Sequence, residues 1–271
     1  MKYVTTVLLS VVALTFLAAP ATADWNVGDP FKMHFPQLPD PNGWDVNFMA
    51  PKVLADDWLC TESGPVSDVH FWFSAQYDNE MIPFQIDNIH VSIHDNKPAD
   101  PVIPFSRPGA LLWARDFGPN EFTARFWGTG QQGWYDPNTG QWNWPDHQGI
   151  GQVNIKIPPT AAAPLFEQKR GEIYWLDLSV KAHSEQGTFP VHLGWKTSRE
   201  HFMDDAVWAD IPTSGEPMVW RPLTDPRVPS GEPPVSLDMA FVITPEPGTV
   251  AMLVGAGLIG LVGYARRRRM R

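Results

Sequence analysis

The chain has 271 residues, 43% of them hydrophobic and 18% charged, with 28 prolines, 13 tryptophans and one cysteine. Between Asp24 and Thr244 it carries 14 Lys and Arg against 29 Asp and Glu, a net charge near −15. That excludes this body as a good ligand for nucleic acid or anionic lipid, and the lone Cys60 excludes an intrachain disulfide scaffold.

The first 23 residues read as a secretory signal. Lys2 gives a positive start, Val4 to Ala19 is apolar apart from Thr and Ser, and Ala21 and Ala23 supply the small residues of a signal peptidase site. An uncleaved anchor helix is the alternative. Residues 24–244 then read as one extracellular domain, long enough for a sizeable core without disulfides. A free cysteine of this kind belongs in that core.

Within the domain, helical periodicity is scarce and period-two alternation is common. Val69, Phe71 and Phe73 share a face in "VSDVHFWFS", and Ile89, Val91 and Ile93 share one in "IDNIHVSIH". Phe122, Ala124 and Phe126 alternate with Thr123 and Arg125. Val153, Ile155 and Ile157 follow the same rule, as do Tyr174, Leu176, Leu178 and Val180. So do "VHLGW" and the run Leu237, Met239, Phe241 and Ile243. One apolar face per segment is the pattern of half-buried antiparallel strands. Seven or eight of them, separated by turn residues, predict an all-β antiparallel β-sandwich, jelly-roll-like. Gly128 to Gly151, rich in Gly and aromatics, and Ile211 to Pro234, with seven prolines, read as long loops.

Several constellations invite chemistry. Asp56 and Asp57 precede one expected strand, and Asp204 and Asp205 precede "AVW". Side by side, these four carboxylates would suit Ca2+; as ordinary turn and capping residues they need no metal. His90 and His94 on one strand stand about 13 Å apart, too far to share an ion, and read as surface histidines. Trp134, Tyr135, Trp142 and Trp144 lie in the aromatic loop beside Asn, Gln and Asp. Exposed, they would stack on sugar rings; otherwise they pack the loop on the sandwich. No GxSxG elbow occurs, and the abundance of Asp and Glu leaves a carboxylate-pair polysaccharide hydrolase as the enzymatic alternative.

Gly248 to Ala265 carries no charge over 18 residues, enough for a single transmembrane helix. Arg266, Arg267, Arg268, Arg269 and Arg271 follow and fix its cytoplasmic side. "GAGLIG" inside the span has the letters of a dinucleotide loop without its strand, helix or acidic residue. The sequence Pro245-Glu246-Pro247, apolar span and arginine cluster together resemble a PEP-CTERM sorting signal. That resemblance implies recognition and processing by an exosortase near Pro245–Pro247, from a membrane-anchored precursor to the cell surface or exopolysaccharide matrix. Residues 245–271 form this unit. The body, through "ADDWLCTESGPVSDVHFW", "GWYDPNTG", "YWLDL", "GWKTS", "DDAVW" and "DMAFVIT", is similar to an uncharacterised domain of exported proteins of planctomycete-type bacteria. The expected whole is a non-catalytic structural or adhesive surface protein with a candidate glycan-binding loop. Its partners are signal peptidase, exosortase and exopolysaccharide, not nucleic acid, and it has no cofactor beyond the candidate Ca2+.

Overall fold

The computed structural model describes residues 24–78, 83–158, 164–185, 190–213 and 216–245. The N-terminal signal, Glu246, Pro247, the apolar span with its "GAGLIG" letters and the arginine cluster lie outside the described residues. Among the described residues, no helix is long and apolar enough to cross a membrane.

Among the described residues all regular elements are strands: β1 (Trp44–Asn47), β2 (Lys52–Leu59), β3 (Gly64–Val66), β4 (Asp68–Ala75), β5 (Phe84–Lys97), β6 (Arg107–Phe117) and β7 (Phe122–Asp136). They continue as β8 (Gln141–Lys156), β9 (Phe166–Gln168), β10 (Ile173–Ser184), β11 (Leu193–Lys196), β12 (Val207–Asp210), β13 (Arg221–Pro222) and β14 (Phe241–Thr244). One six-stranded sheet runs β13-β12-β2-β10-β5-β6, antiparallel throughout. A second runs β11-β1-β7-β8-β4-β14, and β11 also pairs with β4. That extra pairing closes β1, β7, β8, β4 and β11 into a ring, a feature absent from the expected jelly-roll-like sandwich. A short β3–β9 ribbon completes the pairings.

The core lies between the sheets and follows the alternation. Leu54 and Trp58 of β2, Leu176 and Leu178 of β10 and Val91 and Ile93 of β5 meet Val46, Phe71, Val153, Trp195 and Phe241 of the second sheet. A chain of ring contacts crosses it. Phe48 meets Phe71 at 6.1 Å, Phe71 meets Trp195 at 6.3 Å, and Trp195 meets Phe241 at 6.1 Å. Phe241 then meets Trp58 at 6.2 Å, and Trp58 meets Tyr174 at 5.5 Å. Most are edge-to-face, the geometry that adds about 0.5–1.5 kcal/mol per pair beyond area burial. Cys60 is buried in the same cluster.

Four expectations need correction. The strand in "VSDVHFWFS" is not half-buried: its second face is covered too, with His70 on Asn154, Trp72 against Trp25 and Trp127, and Ser74 on Gln132. Phe126 does not follow Phe122 inward. In regular register with β8 up to Gly151, Ala124 is exposed and Phe126 is 67% exposed, while Trp127 packs against Trp72. Gly128 to Gly151 is not a loop but most of the β7–β8 hairpin, with a turn only at 137–140. Asp56 and Asp57 lie inside β2, not before a strand.

Candidate functional site

The β7–β8 hairpin ends in a turn written by its sequence. Asp136 accepts from the backbone of Asn138 (3.0 Å) through its carboxylate and of Gly140 (2.9 Å) through its carbonyl, and Gly140 takes a left-handed φ of 69°. Tyr135 and Trp142 are cross-strand partners just before and after that turn. Trp44 of β1, which runs parallel to β7 here, places its ring among them. Its centroid lies 5.3 Å from Trp144, 5.9 Å from Trp142 and 6.2 Å from Tyr135. Arg227, from the proline-rich segment, lays its guanidinium 5.1 Å from the Trp44 ring and 5.0 Å from the Trp144 ring. Asp225 fixes that guanidinium through Nη2 (2.7 Å) and Nε (3.1 Å). The result is an aromatic shelf on which Trp142 is 48% exposed.

Of the four aromatic residues singled out in the sequence, Tyr135, Trp142 and Trp144 converge on the shelf. Trp134 does not. It points to the opposite face of β7, is 5% exposed and packs near His192 at 6.2 Å. Trp44, Asp225 and Arg227 were missed. Trp44 stood in a short "WDV" run, and no local pattern brings Arg227 across the molecule.

Behind the shelf, inside the ring, lies a charge network that periodicity did not indicate. Asp45 of β1 and Lys196 of β11 are directly opposed in antiparallel register. Lys196 Nζ and His147 Nε2 both reach Asp45 Oδ2, at 2.9 and 2.8 Å, and His147 Nδ1 reaches Asp146 Oδ2 at 2.8 Å. All four side chains are fully covered. Burial disfavours the imidazolium, yet Asp45 and Asp146 lift His147 to a pKa of about 9. Burial also acts to raise Asp45, but Lys196 and His147 hold it below its ordinary value. Burial lowers Lys196 against the pull of Asp45. Ser74 Oγ donates to Gln132 Oε1 at 3.0 Å beside this network.

The paired aspartates do come together, around Asp238. Asp56 points into the core, where Oδ2 accepts from Gln37 Nε2 (2.8 Å) and the Met239 amide (2.6 Å). Asp57 faces the other side of β2, and its buried Oδ1 has no hydrogen-bond partner. Desolvation, with the Asp238 and Asp204 charges adding to it, raises Asp57 to about 8. Desolvation raises Asp238 to about 6, and Asp205 adds to that. Asp204 accepts from Ser106. Among the described residues, no three His, Cys, Asp or Glu side chains are grouped to hold a metal ion. Burial of Asp57 and Asp238 favours their protonated forms, and the carboxylates offer no ready ligand set.

His90 and His94 are not both surface histidines. His90 pairs with Asp116 at 3.0 Å and is partly exposed, whereas His94 is buried, with Nε2 3.0 Å from Asp177 and Nδ1 3.2 Å from the Gly109 carbonyl. Beside His94 is a cleft of about 460 Å³ between β5, β6 and residues 217–220, lined by Lys97, Arg107 and Trp220 among others and by no carboxylate.

A sequence profile described as Domain of unknown function (DUF7901) matches residues 33–244. A second, described as PEP-CTERM protein-sorting motif, matches residues 244–269. No curated protein and no solved structure matches the chain.

Proposed function

From a chain that belongs to the DUF7901 family, a domain of unknown function, and ends in a PEP-CTERM sorting motif, we infer a non-catalytic, glycan-holding component of the cell surface or its exopolysaccharide. The motif makes it an exosortase-processed surface protein. What the domain does on arrival is the proposal. The tail residues Pro245, Glu246 and Pro247 would be the processing mark, and Arg266 to Arg269 the cytoplasmic stop before processing.

The single observation that supports glycan binding is the exposed face of Trp142, fixed on Trp44 with Tyr135 and Trp144 beside it. A sugar ring offers an apolar face of C–H groups and an edge of hydroxyls. A rigid indole with polar neighbours meets both, because aromatic rings supply large contact area at small entropy cost. Here the neighbours are Gln141, exposed at the turn, and Asn143, whose amide is set by Asp146 at 2.9 Å. A glycan array, followed by calorimetry with the best-bound polysaccharide, tests the reading. Trp142→Ala is expected to cost about 2 kcal/mol, roughly thirtyfold in affinity, with melting unchanged. Equal binding by the variant removes the shelf as the site. New reducing ends in the same mixtures would favour the alternative, a carboxylate-pair hydrolase.

A further inference from the structure

We propose that Lys196 and Asp45 become joined by an intramolecular isopeptide bond, Nζ to Cγ, that covalently staples β11 to β1. The pair already has the required placement. The two residues face each other across an antiparallel ladder, and Nζ stands 2.9 Å from Oδ2. Neither side chain is exposed to water. The other carboxylate oxygen, Oδ1, is buried without a hydrogen-bond partner. Gly194, on the same face, leaves no slack, since a Cβ there would press on Asp45 Cβ at 2.7 Å and on the Trp134 ring at 2.9 Å.

The chemistry balances without any co-reactant. Burial holds Lys196 below its ordinary pKa, which eases passage of one proton from the ammonium to the Asp45 carboxylate as the reaction begins. The Nζ lone pair then adds to Cγ. His147, whose Nε2 lies 2.8 Å from Oδ2, lends its proton to that oxygen as the Cγ–Oδ2 bond breaks. It regains a proton from the nitrogen. Of the three ammonium hydrogens, one remains on the amide and two leave with Oδ2 as water. Asp146, 2.8 Å from His147 Nδ1, holds the imidazole in place through the cycle. Fixed approach of the two groups replaces a collision in solution, an advantage worth effective molarities of about 10⁵ M or more in well-oriented systems. The product exchanges a buried ion pair for a neutral amide, which removes the desolvation cost of both charges. Loss of water to solvent and the covered site both oppose the reverse reaction. An exported chain with one cysteine has no disulfide of its own to tie distant segments, and this bond would tie residues 151 positions apart in sequence on neighbouring strands.

Peptide mapping of the purified full-length protein tests this. The chain is unfolded, its free amines are acetylated, and it is digested. The expected result is a branched peptide joining the Asp45 and Lys196 segments, lighter by one water than its two linear parts, with Lys196 unacetylated. Two linear peptides with Lys196 fully acetylated, from protein that had been folded and incubated for days, would overturn the proposal. His147→Gln keeps a polar side chain and is expected to fold yet give the linear, acetylated pair. A branched peptide from that variant would overturn the acid role of His147. Lys196→Met gives the acetylation background, and its failure to fold leaves the mapping of the native chain and of His147→Gln decisive.

Discussion

At the residue scale the most consequential group is Asp57. It is buried with one oxygen unpartnered, near Asp238 and Asp204, and its pKa is lifted to about 8. The unfolded chain ionises this group near 3.8. Its contribution is therefore fully present below that value and lost as pH rises toward 8, since the folded state then binds more protons than the unfolded one. His147, lifted to about 9, acts in the same direction above 6.5. His34 and His70, which burial lowers to about 4, act oppositely, but only between about 6.5 and 4. The window from pH 6.5 to 8 is thus free of them. In it the native protein is expected to lose stability with rising pH, at up to about 1.4 kcal/mol per unit for each group. Asp57→Asn keeps the shape of the protonated acid and removes its share. Denaturant titrations should show a shallower slope for the variant and a variant that is the more stable at pH 8. Parallel slopes for the two proteins would show that Asp57 ionises freely in the fold.

At the element scale the β7–β8 hairpin separates what was legible in the sequence from what was not. Strands with one apolar face, such as β5 and β10, announced themselves by alternation. The hairpin did not, because its outer half carries glycines where side chains would alternate. Gly133 shows why: a Cβ there would overlap the rings of Trp44 and Trp144. The composition that read as a loop is what lets the shelf rings lie against a strand. Its aromatic content singled out Tyr135, Trp142 and Trp144, which lie together on the shelf, and Trp134, which fell to the other face because the strand period is two. Trp44 and the Asp45–Lys196 pair depend on strand pairings between distant segments, and Arg227 on a turn carried in from the proline-rich segment, none of which any window of sequence contains. Gly133→Ala is expected to destabilise the protein by about 1–3 kcal/mol through overpacking. It should also change the near-ultraviolet circular dichroism of the displaced tryptophans. A variant with native stability and spectrum would mean that the rings are free to move aside, and the shelf would not be rigid.

At the scale of the whole molecule, two charge arrangements oppose each other. The exported body has a net charge near −15, and a charge so far from zero repels itself in the compact state. Its covered charge pairs, such as His147 with Asp146, lie away from solvent, and salt screens such pairs much less than surface charges. Salt should therefore relieve the repulsion without weakening the ring. Raising NaCl from about 10 mM to 0.5 M shortens the screening length from about 30 Å to under 10 Å. At about 2–4 °C per kcal/mol for a domain of this size, a gain of 1–2 kcal/mol would raise Tm by several degrees. A falling Tm would instead place much of the stability in exposed ion pairs such as Arg115–Glu121 and Arg199–Asp40. Calcium chloride at matched ionic strength sharpens the comparison. Asp56, Asp57, Asp204 and Asp205 offer no grouped ligand set, so Ca2+ is expected to raise Tm no more than NaCl does. A larger gain, abolished by EDTA and by Asp57→Asn, would mean that the aspartates rearrange into a ligand set for the ion.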